Sequence, residues 1–98
     1  MARAGAPAVD DVFGVIAHPV RRTLLERLAG GERRVTELAV ALPVTRSAVS
    51  QHLRRMRETG LVTEHRRGRH RYYVLQRDRL GEVERWLGGL DRLAGSDQ

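Results

Sequence analysis

Glycine and proline residues cut this chain into short segments, and their spacing limits the fold more than any other feature. Proline is tolerated in the first turn of a helix but not in its interior. Glycine readily takes the left-handed conformation that ends a helix or turns a hairpin. The breaks fall at Pro19, Gly30-Gly31, Pro43, Gly60 and Gly68. A chain of 98 residues punctuated in this way is predicted to form one domain of several short elements.

Hydrophobic periodicity predicts helices in most of these segments. They cover residues 9–17, 19 up to the glycine pair at 30 and 31, 35–42, 45–58 and 78–93. His18, Thr36 and Thr45 are the expected N-caps of the second, third and fourth helices, and Pro43 is expected to end the third.

Between the last two helices, residues 61–67 and 69–75 predict two strands joined at Gly68. The fold class is therefore mainly α with a small β-hairpin (α+β), in the order ααααββα. Residues 1–8 and 95–98 are predicted to be tails around a domain at 9–94.

The positive charge of the chain lies in residues 44–79. This segment holds ten arginines and three acidic residues, a net charge of +7, whereas the rest of the chain has a net charge of −1. A nearly neutral scaffold with one basic segment is typical of a protein that binds a polyanion.

The predicted helix 45–58 has two different faces. Val49, Leu53 and Met56 form a narrow apolar stripe, and polar residues lie opposite. A short helix, a tight turn and a second helix with an exposed polar face are typical of a helix-turn-helix that binds DNA. The hairpin tip at 65–71 is too charged to be buried, so the hairpin is predicted to be a wing beside that helix.

The polar residue types suit contacts to DNA. The guanidinium of Arg46 matches guanine and the amide of Gln51 matches adenine, whereas serines and further arginines can contact bases or phosphates. The predicted DNA-binding residues are Thr45, Arg46, Ser47, Ser50, Gln51, Arg54 and Arg55 on the helix and Arg66, Arg67, Arg69 and Arg71 on the wing. The alternatives are an ordinary solvated helix face and a charged edge that only prevents strand aggregation.

The last predicted helix has a broad apolar face. Leu80, Val83, Trp86, Leu87 and Leu90 lie on it, which is more apolar surface than a terminal helix of a small domain needs. The residues therefore favour a partner subunit. Gly88-Gly89 either allows close packing or breaks the helix, because glycine costs about 1 kcal/mol in a helix interior.

Several classes of function lack the residues they need. The chain has no cysteine, and its four histidines share no metal-ligand spacing, so neither a metal nor a cofactor is expected. His52 is expected to be packed and hydrogen-bonded. No apolar run approaches the roughly 20 residues of a membrane span, and no nucleophile or acid-base pair is visible. We expect a soluble, cytoplasmic protein that is not an enzyme.

Four stretches together resemble the ArsR-type (ArsR/SmtB) bacterial repressors. They are AHPVRRTLLERL at 17–28, VTELAVAL at 35–42, SAVSQHLRRMRETGLV at 47–62 and GRHRYYVL at 68–75. The resemblance implies a homodimeric winged helix-turn-helix whose fourth helix enters the major groove of double-stranded DNA. It also implies a dimer interface on the first and last helices, here Val12, Phe13 and Ile16 with Leu80, Val83, Trp86, Leu87 and Leu90.

The family's soft-metal sensors often carry a Glu-Leu-Cys-Val-Cys pattern in the third helix, and here Ala39 and Ala41 replace both cysteines. The resemblance is thus to the branch without these ligands. The sequence leaves open whether a small molecule or a protein acts as an effector, or whether the protein responds to any signal. We expect a homodimeric repressor that binds an inverted repeat. A nonspecific architectural DNA-binding protein and a winged-helix module for protein or RNA contact are the alternatives.

Overall fold

The computed structural model describes residues 11–95, which form five α-helices and a two-stranded antiparallel sheet. The elements are α1 (Val12–Ile16), α2 (Pro19–Ala29), α3 (Val35–Leu38), α4 (Arg46–Glu58), β1 (Val62–Arg67), β2 (His70–Leu75) and α5 (Gly81–Gly95), with a 3₁₀ turn (Arg77–Leu80) before α5. The predicted fold class and element order are confirmed.

Some sequence predictions fall at the chain ends. The predicted tail at 1–8, the first two residues of the predicted helix 9–17 and residues 96–98 lie outside the described residues. Gly95 was assigned to the C-terminal tail but is the last residue of α5. At the other end α1 begins at Val12, because the carboxylate of Asp11 caps it by accepting a hydrogen bond from the Gly14 N–H at 2.8 Å.

The hydrophobic core lies where α1 to α4 and the hairpin meet. α4 supplies three of its side chains at helical spacing, and all three are fully buried. The core consists of Val12, Val15, Leu24, Leu28, Leu38, Val49, Leu53, Met56, Leu61, Val62 and Tyr73. The burial of one stripe of α4 against this core directs the opposite stripe of the helix toward solvent.

The third helix is shorter than predicted and starts differently. It ends at Leu38 rather than at 42, and its N-cap is Arg34 rather than Thr36. The carboxylate of Glu37 accepts a hydrogen bond from the Arg34 backbone N–H at 2.8 Å. The side chain of the third helical residue thus satisfies the backbone donor of the N-cap residue, as in a capping box.

Two features stop α3 early. Ala41 has a positive φ of 58°, which no α-helix accommodates, and Pro43 disfavours helical geometry at the preceding residue. The guanidinium of Arg27 on α2 donates to the carbonyls of Leu38 and Val40 at 2.8 and 2.6 Å. A side chain from another helix therefore satisfies the Leu38 carbonyl, which an α3 extended to residue 42 would have bonded itself, and also the Val40 carbonyl beyond it.

The hairpin is held by its turn and by the loop before α3. Gly68 has a φ of 60° in a two-residue turn, the conformation that glycine favours. Arg33 exchanges both backbone hydrogen bonds with Tyr73, at 3.1 and 2.8 Å, and so extends the sheet by one bridge. These bonds fix the wing against the helical part of the protein.

α5 is continuous through Gly88-Gly89, so the glycine pair does not break the helix. Leu80 and Val83 pack against the core. Trp86, Leu87, Leu90 and Leu93 remain exposed by 44 to 70% of their surface. Among residues 11–95, the apolar face of α5 is thus only partly covered.

Two histidines meet where α2 and α4 pack. His18 caps α2 as predicted, and its Nδ1 accepts the Val20 N–H at 3.2 Å. The His52 ring lies 4.5 Å from the His18 ring, and its Nδ1 accepts from Nε of Arg21 at 3.0 Å. The prediction that His52 is packed and hydrogen-bonded is confirmed. The bond from Arg21 requires that Nδ1 of His52 carries no proton.

Truncation of the central core residue of α4 should destabilise the protein. Leu53→Ala should lower the free energy of unfolding by about 2–5 kcal/mol, because it leaves a cavity in a fully buried site. Urea denaturation followed by circular dichroism measures this loss. The exposed Gln51→Ala on the same helix is the matched control and should change stability by less than about 0.5 kcal/mol. An equal effect of both variants would contradict the assigned orientation of α4.

His52 should make the protein less stable in mild acid. Burial, followed by the charges of His18, Arg21 and Arg55, lowers the pKa of His52 from its ordinary value of 6.5. The unfolded chain therefore takes up a proton at a higher pH than the folded chain does. The resulting loss of stability begins as the pH falls below about 6.5 and is complete below the lowered pKa.

The variant His52→Gln separates this titration from packing, since its amide oxygen can still accept from Arg21 but does not titrate. Denaturation midpoints measured between pH 8 and pH 5 should fall more steeply for the wild type than for the variant. Parallel profiles would show that His52 does not cause the acid sensitivity.

Candidate nucleic-acid interface

The polar face of α4 is exposed along its whole length. Thr45 caps the helix as predicted, and its hydroxyl oxygen accepts the Ala48 N–H at 3.0 Å. The predicted contact residues of this helix are all exposed, namely Thr45, Arg46, Ser47, Ser50, Gln51, Arg54 and Arg55. With α3 and the turn at 39–45, α4 forms a helix-turn-helix that presents short polar side chains and long cationic ones.

The register of the hairpin separates the wing arginines, all four of which are exposed. Arg66 lies opposite Arg71 and Glu64 opposite Tyr73, and directly paired residues share one face of an antiparallel sheet. Because Ser50 and Arg54 of α4 line a cavity with Arg71 and Tyr73, this face looks toward α4. The wing and α4 are therefore adjacent parts of one surface.

Arg67 lies on the other face of the hairpin and already has a partner. Its guanidinium is paired with Glu32 in the loop between α2 and α3 and lies 4.2 Å from the centre of the Tyr72 ring. The hydrogen bond with Glu32 raises the pKa of Arg67. On the same face, Arg34 contacts His70 at 2.9 Å. These contacts attach the outer face of the wing to the helical body.

Within residues 11–95, Arg66 and Arg69 make no salt bridge. The four predicted wing arginines thus differ in their surroundings. Arg69 lies in the turn, Arg66 and Arg71 face α4, and Arg67 is neutralised by Glu32. The sequence could not separate them, because ion pairs with residues 30 or more positions away depend on the folded arrangement.

The structure adds residues that the sequence interpretation did not select. Between α4 and β2 lies a polar cavity of about 120 Å³, lined by Ser50, Arg54, Arg57, Arg71 and Tyr73. The Glu64 carboxylate forms salt bridges with Arg57 and with Arg71, whose Nε lies 3.3 Å from a carboxylate oxygen. Arg57 could have been selected, since positions 50, 54 and 57 share a helix face. Tyr73 and Glu64 required the packing of the hairpin.

The predicted dimer residues occupy three environments. Val12 is only 3% exposed and belongs to the core of the chain itself, so its assignment to an interface is replaced by a core role. Phe13, Ile16, Leu80 and Val83 are partly buried. Trp86, Leu87 and Leu90 are exposed, and the Trp86 ring meets the Phe13 ring edge to face at 5.6 Å. α1 and α5 therefore form one apolar surface.

Residues 11–95 contain no group of three or more His, Cys, Asp or Glu side chains placed to hold a metal ion. None of their helices is both long enough and apolar enough to cross a membrane.

A helix-turn-helix followed by a basic hairpin wing defines a winged helix-turn-helix protein of the DNA-binding type. The family model for bacterial regulatory proteins of the arsR family matches residues 18–64, which include α2, α3, α4 and the start of β1. The chain belongs to this family, as its resemblance predicted, and to the branch without cysteines. It is a transcriptional regulator and not an enzyme.

Curated relatives agree with the family assignment. The transcriptional repressor SdpR of Bacillus subtilis is 28% identical over 81% of this chain and 88% of its own length. A transcriptional repressor SmtB homolog of Synechocystis is 37% identical over 94% of this chain and 68% of its own length. Against the regulator Rv2034 of Mycobacterium tuberculosis, with 44% identity, the chain spans 62% of the relative's length.

A solved structure shares the fold. The crystal structure of a possible transcriptional regulator for arsenical resistance is 42% identical to this chain, with a TM-score of 0.71. The match covers 84% of this chain and 91% of that one. The likeness thus extends beyond the matched family segment.

Proposed function

We propose that this protein is a homodimeric, sequence-specific repressor that binds an inverted-repeat operator through α4 and the wing. One observation carries the proposal. All eleven residues predicted to bind DNA are exposed, and α4 and the wing lie side by side on one basic surface. A nonspecific architectural protein needs the charge but not the uncharged polar residues Ser47, Ser50 and Gln51.

The two parts of this surface take different roles in the proposal. α4 enters the major groove, where Arg46 reads guanine and Gln51 reads adenine. Ser47 and Ser50 allow close approach of the helix backbone. Arg66 and Arg69, which lack a salt bridge within residues 11–95, contact backbone phosphates and add affinity without specificity.

The dimer forms through the apolar surface of α1 and α5. Phe13 and Ile16 join the half-buried Leu80 and Val83 and the exposed Trp86, Leu87 and Leu90 in that interface. Burial of exposed leucine and tryptophan side chains is worth about 25 cal/mol per Å². Two α4 helices related by a two-fold axis then reach half-sites about 10 base pairs apart. Residues 9–94 form this DNA-binding and dimerisation domain, and it acts in the cytoplasm, where a bacterial chromosome lies.

The first test is selection of bound fragments from the source genome, followed by a footprint on the best fragment. The expected result is a protected inverted repeat with half-sites one helical turn apart. If six or more phosphates are contacted, affinity should fall by about 10³ or more between 50 and 200 mM salt. Diffuse protection would instead favour the architectural alternative, and no binding at low salt would favour a protein or RNA partner.

Substitutions in α4 and in the wing should have different effects on binding. Arg46→Ala and Gln51→Ala should each relax preference for one base position, a loss of about 1–3 kcal/mol of discrimination. Arg69→Ala should weaken binding to all sequences and reduce the salt slope by about 1. Site-selection sequencing and fluorescence anisotropy measure these quantities. Unchanged preference in both α4 variants would refute the role assigned to that helix.

A charge in the apolar face of α5 should prevent dimerisation. Leu87→Glu should yield monomers, since Leu87 is 49% exposed in the single chain and becomes buried in the proposed dimer. Arg85→Glu on the opposite side of α5 is the matched control and should remain dimeric. Sedimentation equilibrium distinguishes the two masses, and a dimeric Leu87→Glu would place the interface elsewhere.

A further inference from the structure

The cavity between α4 and β2 has the chemistry of an oxyanion site. Three arginines, Arg54, Arg57 and Arg71, line it together with Ser50 and Tyr73, and its lining is polar. Guanidinium groups and hydroxyls are the donors that bind phosphate oxygens in proteins. Burial is the main cause that raises the pKa of Tyr73, so its hydroxyl keeps its proton and can donate.

The residues around the cavity carry more positive than negative charge, which favours the binding of an anion. Arg66 lies directly opposite Arg71 on the same face of the hairpin, and paired like charges destabilise a sheet. Glu64 is the carboxylate that contacts this group, since it pairs with both Arg57 and Arg71. Within residues 11–95, the Glu64 carboxylate therefore pairs with two of the three arginines that line the cavity, whereas Arg54 and the neighbouring Arg66 form no salt bridge.

Glu64 and an incoming anion use the same donors. Its carboxylate is held between the helix and the wing, with its side chain only 20% exposed, whereas Arg57 and Arg71 are 39% and 59% exposed. The two arginines are thus accessible to a ligand in solvent, whereas the Glu64 side chain is held in place between the helix and the wing. An anion with more oxygens than a carboxylate can also engage Arg54, Ser50 and Tyr73.

We propose that this cavity is a phosphate-binding subsite and that Glu64 is its internal counterion, competing with the ligand for Arg57 and Arg71. The ligand is a phosphate group, either a phosphodiester of bound DNA or a free phosphate compound. If the ligand is a phosphodiester of DNA, the inference rests on the proposed function and deepens it. It then adds Arg57 and Tyr73 to the DNA-contacting surface, and Glu64 weakens DNA binding by competing for Arg57 and Arg71.

The subsite can be tested without DNA. Inorganic phosphate is titrated into the full chain at constant ionic strength, with chloride as the reference, and the arginine Nε–Hε signals are followed by NMR. The signals of Arg57 and Arg71 should move with phosphate and saturate. Glu64→Gln, which keeps the shape and removes the charge, should tighten phosphate binding roughly fivefold, the scale of two partly exposed ion pairs.

Arg57→Gln should abolish saturation, whereas Arg77→Gln, which removes an exposed arginine outside the cavity, should leave phosphate binding unchanged. Amide spectra show whether each variant is folded. Equal shifts with phosphate and chloride, or no gain in Glu64→Gln, would overturn the inference.

A comparison of DNA affinity with phosphate affinity in the Glu64→Gln variant identifies the source of the phosphate. If a DNA phosphodiester occupies the cavity, Glu64→Gln should raise affinity for operator and unrelated DNA by a similar factor. If a free phosphate compound is the ligand, the variant should bind phosphate more tightly with DNA affinity unchanged. Saturable phosphate binding by a protein that gives no footprint on any genomic fragment would refute the proposed function while supporting the subsite.

Discussion

The burial of one stripe of α4 is the constraint on which the rest of the structure depends. Val49, Leu53 and Met56 are fully removed from solvent, and each contributes on the order of 1.5–3 kcal/mol of hydrophobic stabilisation. Since the helix can bury only one side, the same packing turns Arg46, Ser50 and Gln51 outward. The stability of the fold and the exposure of the proposed recognition face thus have a single cause.

The arginines of this protein have two roles, one in stabilising the fold and one in forming a basic surface. Some arginines hold the fold together by bonding backbone carbonyls, as Arg27 does at the end of α3 and Arg79 does at Thr59. Others form an exposed basic surface whose charge is partly balanced by Glu32 and Glu64. These internal carboxylates hold the wing in place, and they also set how much positive charge remains for a polyanion.

Patterns within one element were read correctly from the sequence. The caps at His18 and Thr45, the stripe of α4 and the hairpin turn at Gly68 depend on residues close in sequence. The end of α3 was misjudged because it depends on Arg27 from another helix and on a left-handed Ala41. Val12 belongs to the core of the chain rather than to its exposed apolar surface, which depends on how α1 packs against the other helices.

The sequence by itself determined the helix-turn-helix with a basic wing, since the periodicity of apolar residues, the positions of glycine and proline and the clustering of arginine are all local properties. Only the tertiary structure decided which charges are already paired. Arg67 meets Glu32, and Glu64 lies between Arg57 and Arg71. Such pairs join residues 7 to 35 positions apart. Coulombic attraction depends on distance in space, which the folded chain alone sets.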